Sequence, residues 1–413
     1  MTLILGYFAF VLLSQYSLAA TTWGATTVSA TTTTITSTTL TATATDESVL
    51  LVEASGVAYL TNVIIVKTGD ASDDTSPSST NLNAAIGVAD PGTVYLTDCT
   101  ITTDGVGANP LKLYEDGSYA YVYNLEVTAR GDYAHGVYAA GGYIYGENVT
   151  VTTYNTSGSA IATDSNAGTI YIKTATAYTY GAKSALVYST GNITVEDLTG
   201  STYEASGCVI DGSNSWTLVN PDISAAPTAY GVFETRGTGE RLSSPATMTV
   251  NGGSVAETRG DAGVMFCSNI DCYYYLDNVS ISTKSGILAN SSAADWGISG
   301  SNEGGLYAYL AELDITGDVY VDDISTVAIY LYSTSWSGAI NPEGTEGNAT
   351  VYVNSDSTWT VTGTSYVTVI SCDDSDCSNI YSDGFTVYYD SSDNSWLGGE
   401  TISLSGGGEL TPS

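Results

Sequence analysis

Between Asn83 and Asn220, apolar and polar residues alternate with period two in short runs, and the runs recur about every 24 residues. Gly92-Thr-Val-Tyr95-Leu, Ser118-Tyr-Ala-Tyr121-Val, Gly142-Tyr-Ile-Tyr145-Gly, Gly168-Thr-Ile-Tyr171-Ile and Gly191-Asn-Ile-Thr194-Val fall under one another. Alternation sends one set of side chains to each side of a strand. Three apolar columns follow: Val94, Ala120, Ile144, Ile170 and Ile193; then Cys99, Leu125, Val149, Ala175 and Leu198; then Val137, Ile161, Val187 and Val209. Three short strands in each turn of about 22 to 26 residues predict an all-β fold, a single-stranded parallel β-helix expected to be right-handed, because one such repeat can bury its apolar face only by stacking on the next. Helical periodicity is missing from the chain.

The flanking segments set the boundaries. Leu3 to Leu13 is an apolar run too short to cross a bilayer, and Ser17 to Ala20 supplies small residues for cleavage, so residues 1–20 read as a signal peptide. This predicts a secreted protein, extracellular or in a cell wall, with no stable membrane insertion. Residues 21–46 are rich in Thr and fit either a flexible leader or a first irregular rung. The β-helix is expected over 47–318, and irregular terminal rungs with a C-terminal β cap over 319–413, where alternation persists at 349–353, 358–361, 366–370 and 385–389. Candidate N-glycosylation sites are Asn148, Asn155, Asn192, Asn278, Asn290 and Asn348.

Charge narrows the partners. Nine Lys and Arg against 44 Asp and Glu give a net charge of -35, which argues against nucleic acid and anionic membranes. Cys267 with Cys272, and Cys372 with Cys377, are local pairs around acidic loops and read as disulfides. Cys99 reads as a buried small hydrophobe, and Cys208 has no evident partner. With one histidine, His135, the chain offers neither a mixed Cys/His zinc site nor a serine-hydrolase triad.

Candidate chemistry is sparse. Tyr95, Tyr121, Tyr145 and Tyr171 should form an outward aromatic stripe, either bracing the coil or serving as a platform for sugar rings. Asp70, Asp73 and Asp74 share a Ser-rich loop that is either solvated or a calcium ligand set; calcium is the one cofactor left open. Glu234-Thr-Arg236-Gly is echoed by Glu257-Thr-Arg259-Gly after 23 residues, which predicts Arg236 beside Arg259, as an ion-pair ladder or as a lyase base. Asp164 and Asp211 are the remaining candidates for a carboxylate pair.

Gly136-Val-Tyr-Ala-Ala-Gly-Gly142, Ala160-Ile-Ala-Thr-Asp164, Ser184-Ala-Leu-Val-Tyr-Ser-Thr-Gly191 and Cys208-Val-Ile-Asp-Gly-Ser-Asn-Ser215 resemble stretches of secreted β-helix proteins of bacteria and fungi described as adhesin-like or pectate-lyase-like. Ser357-Thr-Trp359, Gly384 to Asp390 and Gly406 to Pro412 extend the resemblance to the C-terminus. The chain has Asp164-Ser-Asn-Ala-Gly168 where those relatives carry Arg-Gly-Gly after the Asp. The resemblance implies the fold and no single activity, and the chain's own residues and charge leave two functions: a non-catalytic adhesin-like protein presenting an acidic, Tyr- and Thr-lined face to a polysaccharide or surface glycoprotein, or a polysaccharide lyase or glycoside hydrolase working in a groove along one sheet.

Overall fold

A computed structural model describes residues 24–72, 83–164, 167–374 and 376–413. The expected signal peptide at 1–20 lies outside these, as do Asp73 and Asp74. The described chain is a parallel β-solenoid of about 15 turns.

One wall is a sheet of 12 short parallel strands, each from a successive coil, running through Leu111–Leu113, Val137–Ala139, Ile161–Thr163, Val187–Ser189, Cys208–Asp211, Gly231–Arg236 and Gly263–Ser268. Longer strands, Thr93–Thr103, Tyr119–Ala129, Tyr143–Thr153, Thr169–Thr179 and Asn192–Thr202, form the other two walls by bending in the middle. The bend is a single left-handed residue in each: Asp98, Asn124, Asn148, Thr174 and Asp197, with φ of 53°, 52°, 54°, 52° and 47°. Asn and Asp enter this region most readily among residues with a Cβ. The corner advances the alternation by one residue, so Val94 and Leu96 point inward before it and Cys99 and Ile101 after it. Neighbouring corners are tied by side-chain amides: Asn124 Nδ2 donates to Asp98 Oδ1 at 2.7 Å, and Asn148 Nδ2 to Asn124 Oδ1 at 2.8 Å.

The two long-strand columns are buried as expected, with Ile144 opposite Ile170 on the next coil. The short-strand column differs at one position. Val187 pairs with Cys208, and Val209 pairs with the outward Tyr188. The coil there is shorter, which shifts the register by one, so Cys208 fills the core and Val209 faces out.

Thr-rich residues 24–42 form three strands, Gly24–Ser29, Thr32–Thr36 and Thr39–Ala42, paired in parallel with the next coil. Parallel pairing continues past 319, and stacked indoles of Trp336 and Trp359, 5.2 Å apart, fill the core of the late coils. At the end Ile402–Ser403 turns back antiparallel to Glu409–Pro412. That reversal closes the small terminal sheet containing Ser365–Val367 and Thr386–Tyr389, and so occupies a strand edge that would otherwise stay open.

Cys267 and Cys272 form a disulfide. Cys372 and Cys377 lie side by side with their sulfurs 2.7 Å apart, unjoined in this structure. Cys99 and Cys208 are buried free thiols. Among the described residues, no helix is long and apolar enough to cross a membrane.

Candidate functional site

The outward face of the short-strand sheet carries the chemistry. Its central column runs in register through Lys112, Tyr138, Ala162, Tyr188, Val209, Glu234 and Phe266. Over its middle lies a groove of about 640 Å³, lined among others by His135, Asp164, Tyr188, Glu234, Arg236 and Trp296.

Arg236 is the hub. Its Nε donates to Asp211 Oδ2 at 3.2 Å on the preceding coil, and its NH1 to Glu234 Oε1 at 2.5 Å. The guanidinium lies 4.8 Å from the Trp296 ring and 6.0 Å from that of Tyr188. Burial pulls the Arg236 pKa down, but Glu234, Tyr188 and Asp211 outweigh it and hold the group firmly charged. Glu234 also accepts from Ser206 Oγ at 2.6 Å. The indole of Trp296 packs against Tyr230 at 4.7 Å and Phe266 at 6.5 Å, and Tyr230 donates to Asp295 at 3.3 Å. These contacts pin the 292–304 loop over one end of the groove.

A second network lines the opposite end. Asn109, His135 and Ser159 occupy one corner on three successive coils, each accepting the backbone hydrogen of the next: His135 N–H to Asn109 Oδ1 at 2.9 Å, Ser159 N–H to His135 Nδ1 at 3.0 Å, Ala185 N–H to Ser159 Oγ at 3.2 Å. Because Nδ1 is an acceptor, the neutral imidazole carries its proton on Nε2. Burial, with the nearby Lys112 charge, pushes the His135 pKa down to about 4. Lys112 itself is fully buried beside the rings of Tyr114 and Tyr138, 4.8 and 5.2 Å from its Nζ. Burial lowers its pKa to about 7, against the pull of Asp164. Tyr138 donates to Asp164 Oδ2 at 3.4 Å, and Tyr188 to Asp211 Oδ2 at 3.5 Å.

Three of the four residues expected from the sequence, Asp164, Asp211 and Arg236, therefore share one face. Arg259 does not, and the expected Arg236–Arg259 ladder is absent. The coil from Gly231 to its partner Gly263 spans 32 residues rather than 23, so the echo is not one turn. Arg236 instead pairs in register with Ser268. Arg259 sits in the turn after Ser254–Glu257, bonded to Asp261 at 2.5 Å. Glu257 likewise faces away, accepting backbone hydrogens of Arg259, Gly260, Lys284 and Ser285.

The tyrosine stripe lies on a different wall. Tyr59, Tyr95, Tyr121, Tyr145 and Tyr171 pair in register. The rings stack in two groups rather than one: Tyr59, Tyr95 and Tyr121 at 4.7 and 5.0 Å, then Tyr145 and Tyr171 at 5.8 Å. Between them Tyr145 leans toward Tyr123, 6.1 Å away and tilted by 53°. Stacked rings show solvent their edges and hydroxyls, while a sugar packs on a ring face. The Tyr145 and Tyr171 hydroxyls are held by Glu147 and Glu196.

Of the glycosylation candidates, Asn148 and Asn155 already use their Nδ2 groups, toward Asn124 and the Arg130 carbonyl. Asn192, Asn278 and Asn348 are exposed, and Asn290 lines a smaller cavity of about 360 Å³ further along the short-strand face. Among the described residues, no group of three or more His, Cys, Asp or Glu is arranged to hold a metal ion.

Several residues of this face left little trace in the sequence. Lys112 between Leu111 and Leu113 was a visible anomaly, a lone cation in an apolar strand. Trp296 reaches Arg236 across 60 residues of chain with no periodic signal. No family model, no curated protein and no solved structure matches the chain.

Proposed function

We propose that this is a glycan-binding, adhesin-like β-helix of the cell exterior whose binding face is the groove on the short-strand sheet. The observation that carries the reading is the juxtaposition, in one groove, of aromatic rings at Trp296, Tyr230 and Tyr188 with the polar set Asp164, Glu234, Arg236 and His135. Aromatic faces suit the apolar faces of sugar rings, and fixed polar groups suit their hydroxyls. The groove runs across successive coils, so an extended chain has several adjacent places to lie. The cavity at Asn290 and Tyr320 lies on the same face.

A second reading, hydrolysis, draws support from one relationship. Counting on from Ala162, Tyr188 and Val209, Asp164 and Asp211 stand two coils apart on one side of the column. Coils about 4.8 Å apart put their backbones about 10 Å from each other, close to the separation of about 6.5–9.5 Å between carboxyl groups in inverting glycosidases. Against it, Asp211 is engaged by both Arg236 and Tyr188, which favours a structural anion over a free base.

Calorimetric titration with neutral, amino and uronic oligosaccharides, with reducing-end and unsaturated-uronate assays on the same mixtures, tests both readings. Saturable binding without new ends supports the adhesin; turnover abolished by Asp164→Asn supports the hydrolase; no binding to any glycan removes both.

A further inference from the structure

We infer that the groove selects sugars carrying an ammonium group over uronic acids, an inference that rests on the glycan-binding reading. Four carboxylates line the groove, Asp164, Glu204, Glu234 and Asp295, against two cations, Lys183 and Arg236. Arg236 is already committed to Glu234 and Asp211. Glu204 and Asp295 are exposed at the rim, and neither forms an ion pair among the described residues. Asp295 is adjacent in sequence to Trp296, so a carboxylate and an indole approach the same ligand.

An ammonium-bearing pyranose answers both groups. Its ring lies on the indole, and its charge meets a carboxylate rim that a uronate would encounter as like charge. A second observation points inward. His135 lines the groove at 7% exposure, and because its Nδ1 accepts the Ser159 backbone hydrogen, Nε2–H is the ring's remaining donor. A hydroxyl of a sugar lying in the groove supplies an acceptor for that donor. The whole chain's charge of -35 adds a field that steers cations inward and uronates away.

The test titrates the full chain with hexamers of glucosamine, N-acetylglucosamine and galacturonate at mildly acidic pH, beside a Glu204→Gln, Asp295→Asn double variant. Both substitutions are at exposed rim positions and leave net charge strongly negative, so non-specific adsorption of a cationic sugar persists in the variant. Expected is glucosamine hexamer binding about tenfold tighter than the acetylated hexamer, with that advantage lost in the double variant. Galacturonate should not bind. Equal affinity for the two hexosamine chains, or an advantage the double variant retains, overturns this inference and leaves glycan binding standing. If none of the three binds, nor any neutral glycan, it is the glycan-binding reading that falls.

Discussion

His135 Nδ1 accepts the backbone hydrogen of Ser159 on the following coil, 3.0 Å away. Protonating Nδ1 would turn that acceptor into a second donor facing an N–H. The pKa is lowered from 6.5 to about 4, so the unfolded chain takes up the proton first. The stability this group contributes is fully present above pH 6.5 and is lost as pH falls through about 4, on the order of 3 kcal/mol in all. Carboxylates titrate in the same range, so the measurement is a difference. Urea unfolding of the parent and of His135→Asn, whose amide can accept as Asn109 does one coil earlier, should show the parent losing stability relative to the variant between those limits. Parallel pH profiles would show that the imidazole does not titrate there.

Removing Arg236 leaves Glu234 and Asp211, which have side chains only 7% and 14% exposed, without their cation. Arg236→Ala should cost about 3–5 kcal/mol. Arg259→Ala removes one exposed pair and should change stability by less than about 0.5 kcal/mol. Thermal melts of the two variants check this, and equal losses would restore the ladder that the repeat suggested.

The tyrosine stripe should matter to the coil and not to ligands. Tyr95 stacks on both Tyr59 and Tyr121, and aromatic pairs contribute about 0.5–1.5 kcal/mol each beyond buried area. Tyr95→Ala should therefore lower the melting temperature while leaving glycan affinity unchanged. Titrating the variant with whichever glycan the parent binds decides the point.

The coils themselves were legible because their cause is local. Alternation within a strand and spacing between strands fix which residues stack, and Ile144 meets Ile170 as the spacing required. Registers failed where coil length changes, at Val209 where the coil is shorter and at Arg259 where it is longer, because residues lost or inserted at a corner leave no trace in strand periodicity. The chemistry of the short-strand face was only partly legible. Asp164, Asp211 and Arg236 lie on strands or at strand ends and were found. Trp296 arrives on a loop, and Lys112 and His135 take their character from burial, which depends on neighbours two dozen residues away.

Thr174 is the β-branched exception at the left-handed corner, with φ of 52°, exposed, between coils that use Asn148 and Asp197 there. Thr174→Asn should stabilise the protein by about 1 kcal/mol, read as a higher melting temperature in protein made without N-glycosylation, since the change creates an acceptor sequence. A lower melting temperature would mean that the Thr side chain is favoured at that corner after all.

The most direct measurement is oligosaccharide affinity of Trp296→Ala set beside Tyr121→Ala, Tyr145→Ala, each variant first shown to melt cooperatively. The groove account predicts a loss of about 30-fold or more for the Trp296 variant and parent-like affinity for the tyrosine pair. Parent-like affinity in the Trp296 variant, with binding lost in the tyrosine pair, would contradict it and move the binding face to the stripe.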